Sequence, residues 1–94
     1  MKQLEKEIRT NGFLYCQVYR NHNFAIYSQW SGNVIIAYEL IKIRKRKDRI
    51  LFGKHYPASE VYPDTKSWGN EGWTFKSFNN AMERLSKYSD NFQK

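Results

Sequence analysis

Three runs of aromatic and β-branched residues follow one another between Phe13 and Arg46, separated by Asn21-His22-Asn23 and Ser31-Gly32-Asn33. Runs that alternate with period two and are bounded by Asn, Gly and Ser read as strands joined by tight turns, which constrains the chain to an antiparallel meander. In Phe13–Arg20 the residues Phe13, Tyr15, Gln17 and Tyr19 share one face, and Leu14, Cys16 and Val18 the other. Asn suits the first turn because it tolerates positive φ and bonds its own backbone. Phe24–Trp30 is the second strand. The third runs from Val34 towards Arg46, with Val34, Ile36, Tyr38 and Leu40 on one face and Ile35, Ala37, Ile41 and Ile43 on the other. Its first half is apolar on both faces and is expected to lie centrally. Past Ile41, Lys42, Arg44 and Arg46 share a face, and such charges are not buried without partners, so this end is expected to project into solvent.

A turn at Lys47-Asp48-Arg49 and a short strand Ile50-Leu51-Phe52 would complete the meander, with the positive charge at one hairpin tip. Before it, Lys2–Arg9 has Leu4 and Ile8 four apart and Glu5 and Arg9 at the same spacing, which fits two turns of amphipathic helix stopped by Thr10-Asn11-Gly12. Gly53–Gly72 holds both prolines and three of the glycines and lacks periodicity, so it reads as a long loop packed by Tyr56, Tyr62 and Trp68. Gly72-Trp73-Thr74-Phe75 is a last short strand. Ser77 is a suitable N-cap for a helix carrying Phe78, Ala81, Met82, Leu85 and Tyr88 on one stripe, with Ser89–Lys94 expected to fray. The fold class is therefore a single α+β domain over residues 1–94. It comprises a meander of four to five strands, a C-terminal helix across one face and a possible short N-terminal helix.

A chain of 94 residues buries roughly 60–65% of the surface its unfolded form exposes, enough for one modest core. The longest apolar stretch, Val34 to Ala37, is far short of the ~20 residues a membrane-spanning helix needs. Met1–Glu7 is charged and lacks the apolar centre of a secretory signal. A cytoplasmic location without membrane association is expected. Cys16 is the single cysteine, which leaves no internal disulfide, and its place in an alternating run suits a small core residue.

Charge is distributed very unevenly. Residues 42–54 hold Lys42, Arg44, Lys45, Arg46, Lys47, Arg49 and Lys54 against Asp48 alone, +6 of a formal net charge of +7. Such a patch concentrates polyanions at one surface, and Arg44 and Arg46 can fork onto phosphate oxygens. RNA, DNA or a nucleoprotein is the partner it implies. Exposed rings add base stacking, and among the strand-borne aromatics Tyr19 and Tyr27, near the first turn, are the expected exposed pair. For catalysis the inventory is thin. His22 and His55 fall in expected loops, no carboxylate cluster or ligand spacing accompanies them, and no catalytic residue, metal ligand or cofactor is assigned.

His55-Tyr56-Pro57-Ala58-Ser59-Glu60, followed by Trp68-Gly69-Asn70-Glu71-Gly72-Trp73-Thr74-Phe75 and an amphipathic helix, resembles a set of small proteins from phages and mobile elements. In those a YP-S-E…G-GWTF segment follows a meander that ends in a basic turn. The likeness extends over residues 13–88 in layout and is specific over 55–75, with Val61–Ser67 a wider spacing than the pattern has. What it implies is genomic company, since such proteins include anti-CRISPR and other anti-defence inhibitors. The function expected is then non-enzymatic inhibition in a bacterial host, with Lys42–Arg49 and Lys54 engaging an RNA-guided nuclease or its guide RNA. The loop with Tyr56, Tyr62 and Trp68 would make protein contacts. A general nucleic-acid-binding accessory protein is the alternative, followed by a small nuclease using His55.

Overall fold

The computed structural model describes residues 2–64, 66 and 68–92. Four consecutive strands, β1 (Glu7–Thr10), β2 (Phe13–Arg20), β3 (Phe24–Ser31) and β4 (Val34–Lys42), pair as an antiparallel meander. After an excursion of the chain, β9 (Gly72–Phe75) returns antiparallel to the free side of β4, opposite Tyr38–Ile41. Helix α1 (Phe78–Phe92) packs on one face of this five-stranded sheet. The domain is α+β, as the alternating runs predict.

The turns explain the register. Asn21 Oδ1 accepts hydrogen bonds from the backbone N–H groups of Asn23 and Phe24, at 3.0 and 2.8 Å, which closes the β2–β3 connection. Asn11 and Gly12 carry φ of 53° and 82°, the positive pair a two-residue hairpin turn requires, and join β1 to β2. This overturns the N-terminal helix. Residues four apart share a face in a strand as well as in a helix, so the Leu4/Ile8 spacing does not discriminate, and the Asn-Gly pair is a hairpin turn where a helix stop was expected. Ahead of β1, the chain runs beside the later segment at Ser59. Lys2 donates to Ala58 O at 3.1 Å, and its carbonyl accepts from the Glu60 N–H at 2.7 Å.

Each face of the sheet has its own core. Phe24, Ile26 and Leu40 meet Ala81 and Leu85 of α1, with Trp73 stacked on Tyr88 at 5.0 Å and Phe24 on Tyr88 at 5.8 Å. Ser77 caps α1 through its Oγ, which accepts from the Asn80 N–H at 3.1 Å. The helix is assigned through Phe92, beyond the Ser89 at which fraying was expected to begin, and 93–94 lie outside the described residues. On the opposite face Ala25, Tyr27, Ile41 and Ile43 are covered by Leu4 and by the loop bearing Tyr62 and Trp68. Cys16 is half-buried.

Three further expectations are corrected. The third strand ends at Lys42, and its apolar first half is exposed at Val34, Ile35 and Ile36 because β9 and α1 do not reach that end. Ile50-Leu51-Phe52 does not complete the meander, because its strand pairs forward with Lys54–Tyr56, away from the sheet. Gly53–Gly72 is not one long loop, since its first part forms two strands.

Candidate functional site

The excursion between β4 and β9 is an arm. Strand β5 (Arg44–Arg46) pairs with β8 (Ser59–Val61), and β6 (Arg49–Leu51) pairs with β7 (Lys54–Tyr56), so the four form two successive sections of one long antiparallel hairpin. Between the sections the Asp48 carboxylate accepts from the Ala58 N–H, and Asp48 Oδ2 stands 3.7 Å from His55 Nε2. From Arg44 to Leu51 the eight residues, six of them in strands, would reach roughly 25 Å at the usual extended rise. At the tip Phe52 and Gly53 take φ of 53° and 76°, again the two-residue hairpin pattern.

The basic residues are placed unequally along this arm. Arg44, at the root, donates to Glu71 Oε1 at 2.6 Å and lies 3.9 Å from Asp64, so acidic groups remote in sequence already neutralise it. Lys42 is exposed at the end of β4. Lys45 Nζ meets His22 Nε2 at 3.1 Å and sits opposite Glu60 in the ladder. Arg46 and Lys47 are exposed and have no ion-pair partner among the described residues. Arg49 and Lys54 both reach the Tyr56 ring, at 5.4 and 5.6 Å from its centroid, which holds two cations near one aromatic surface. The free positive charge therefore lies on the outer arm.

Sequence reasoning missed the arm's apolar end. Ile50 is 75% exposed, Leu51 42% and Phe52 98%. A bulky residue at positive φ is uncommon, and Phe52 holds that conformation while burying nothing. The available signal was the Phe52-Gly53 pair, because glycine after a strand residue marks a turn. The aromatic expectation is also revised: Tyr27 is fully buried, with its hydroxyl donating to Glu5 O at 2.7 Å and accepting from Gln17 Nε2 at 3.0 Å, and Tyr19 packs against the helix-side core.

Of the three proposed contact aromatics, only Tyr56 belongs to the arm. Tyr62 and Trp68 are half-buried on the sheet face opposite α1, where they line a cavity of about 740 Å³ together with Ile8, Tyr15 and Glu39. Tyr62 Oη donates to Glu39 Oε1 at 2.5 Å. Burial pushes the Glu39 carboxyl above its ordinary pKa, and the Tyr62 hydrogen bond pulls it partly back. Burial and the Glu39 carboxylate together hold the Tyr62 phenol well up. His22 and His55 lie exposed on different elements, His55 in β7 where a loop was expected, and no group of three or more His, Cys, Asp or Glu converges among the described residues. Among the described residues no helix is long and apolar enough to cross a membrane.

The segment that carries the phage-protein resemblance mostly builds the fold. Glu60 pairs with Arg20, Gly72 lies against the Trp68 ring, and Trp73 stacks on α1. No family model matches the chain, and neither a curated protein nor a solved structure matches it.

Proposed function

We propose that the protein acts by stoichiometric binding, without catalysis, and that the arm enters a phosphate-lined groove of a nucleic acid or nucleoprotein. The observation that carries this reading is the outer hairpin. It carries Arg49 and Lys54, with Arg46 and Lys47 directly below them on the arm, beneath a tip of exposed Ile50, Leu51 and Phe52, and none of these residues belongs to either core cluster. Cations attract and position a phosphate backbone, and an apolar wedge at the leading end can insert between bases or into a protein cleft beside them. Flanking Tyr56 adds a stacking surface. The resemblance to small phage and mobile-element proteins makes an RNA-guided nuclease the target to test first, because it offers a basic-arm site and a protein surface together.

Replacing Arg46, Lys47, Arg49 and Lys54 by Ala together should weaken single-stranded RNA or DNA binding at least about tenfold and flatten its salt dependence by roughly 0.7 per lost phosphate contact. Phe52→Ser should weaken it with an unchanged salt slope. Equal affinity before and after the charge change, or binding confined to anionic vesicles, would overturn the reading. Against an RNA-guided nuclease, near-equimolar block that survives His55→Ala supports inhibition by binding. Substoichiometric, time-dependent loss that disappears with His55 would replace it by an enzyme.

A further inference from the structure

The cavity on the sheet face opposite α1 is separate from the outer arm and has its own chemistry. Its size falls in the range of small-molecule sites, roughly 300–1,000 Å³. Three rings form its walls: Tyr62 stands 6.4 Å from Tyr15 at 56° and 6.4 Å from Trp68 at 19°. The Trp68 ring is fixed from behind, where its Nε1 donates to Thr74 Oγ1 at 3.0 Å and its edge rests against Gly72. At the inner wall lies Glu39, on β4, whose bonded partner is the neutral Tyr62 hydroxyl. No ion pair to Glu39 occurs among the described residues, although the protein carries a net charge of +7. The second acid at the rim, Asp64, faces Arg44.

A half-buried carboxylate surrounded by aromatic faces and left without a countercharge is unfavourable by itself and becomes favourable when a cation fills the space. Aromatic faces present negative quadrupoles to such a cation, and they suit an organic cation with an apolar body better than a strongly hydrated metal ion. We infer that this cavity binds an alkylammonium or guanidinium group, with Glu39 as its counter-ion and Tyr15, Tyr62 and Trp68 as its walls. The raised pKa of Glu39 is consistent with this, because burial disfavours the carboxylate charge, more than the Tyr62 hydrogen bond restores, and a bound cation would stabilise that charge. The group belongs either to a free small cation or to an arginine or lysine side chain of a peptide, and both present the same chemistry to the cavity.

The test is a titration of the intact protein, followed through the Trp68 indole N–H resonance. The probes are choline, its neutral carbon isostere 3,3-dimethylbutan-1-ol, and a capped Gly-Arg-Gly peptide. At least one cationic probe should bind saturably and at least about tenfold more tightly than the neutral alcohol. Choline binding assigns the cavity to free cations, and binding of the peptide alone assigns it to a side chain. Glu39→Gln keeps the shape and an oxygen for the Tyr62 hydroxyl, so it should fold normally and bring charged and neutral probes to similar affinity. The proposal is overturned if neither cation produces a saturable shift, if the alcohol binds as well as the cations, or if Glu39→Gln leaves the preference intact.

Discussion

Arg20 and Glu60 form an ion pair that links β2 to the arm's root. Glu60 accepts from Arg20 Nη1 at 2.7 Å and Nη2 at 3.1 Å and from the Leu4 N–H at 3.0 Å, joining β2, β8 and the N-terminal segment at one carboxylate. Its side chain is 7% exposed and that of Arg20 25%. The Arg20 hydrogen bond is the main cause that lowers its pKa to about 2, helped by Leu4 and opposed by burial. Because the folded pKa lies below the unfolded value, the stabilisation is fully present above about pH 4.5 and is lost as pH falls from there towards 2. Arg20→Met should therefore cost about 2 kcal/mol at neutral pH and progressively less below pH 4.5, as followed by urea denaturation across pH. A cost independent of pH would show that packing, and not the charge pair, is what Arg20 contributes. Gly72 is a second sensitive position. A Cβ there would stand 2.4 Å from the Trp68 ring, so Gly72→Ala must displace that ring. The expected loss is roughly 1–2 kcal/mol, with a shifted Trp68 indole resonance. An unmoved resonance would show that β9 shifts in place of the ring.

Helix α1 shows how far local rules reach. Its apolar stripe at spacing three to four, and its Ser77 cap, are legible because both are set by neighbouring residues. Leu85, 2% exposed between the helix and Ile26 and Leu40, should cost roughly 2–4 kcal/mol on truncation to Ala, and Ser77→Ala about 1 kcal/mol. A denaturation midpoint unmoved by Leu85→Ala would be incompatible with the helix packing on this face. The meander is legible for a similar reason, since period-two runs and Asn or Gly turns are local. What local rules do not decide is pairing. Ile50-Leu51-Phe52 can pair back to the sheet or forward across Phe52-Gly53, and its composition fits both. The candidate site divides the same way. Clustered charge is visible in Lys42–Arg49, whereas the neutralisation of Arg44 by Glu71, 27 residues on, and the Glu39–Tyr62 contact, 23 residues apart, arise only on folding.

At the scale of the whole molecule the arm is an appendage. The two core clusters and the residues packed on them draw nothing from residues 44–61, and the Cα radius of gyration, 14.5 Å, exceeds the about 12 Å of a compact chain of this length. Most of the charge also lies on or next to this appendage, so the residues proposed to bind and the apolar residues that form the two cores occupy different parts of the chain. Replacing residues 49–55, the outer hairpin beyond Asp48, by an Asn-Gly turn should leave the five-stranded sheet and α1 folded, since Arg20–Glu60 and the Lys2 bonds to Ala58 and Glu60 all lie inside the cut. Thermal melting should keep its cooperativity with a midpoint within a few degrees of the parent, and the scattering radius should fall towards the compact value. Polyanion affinity should drop at the same time, because Arg49, Lys54 and the apolar tip go with the deleted segment. A shortened protein that loses cooperative melting would mean that the outer hairpin supports the fold, and a shortened protein that binds RNA undiminished would move the interface back to the arm's root.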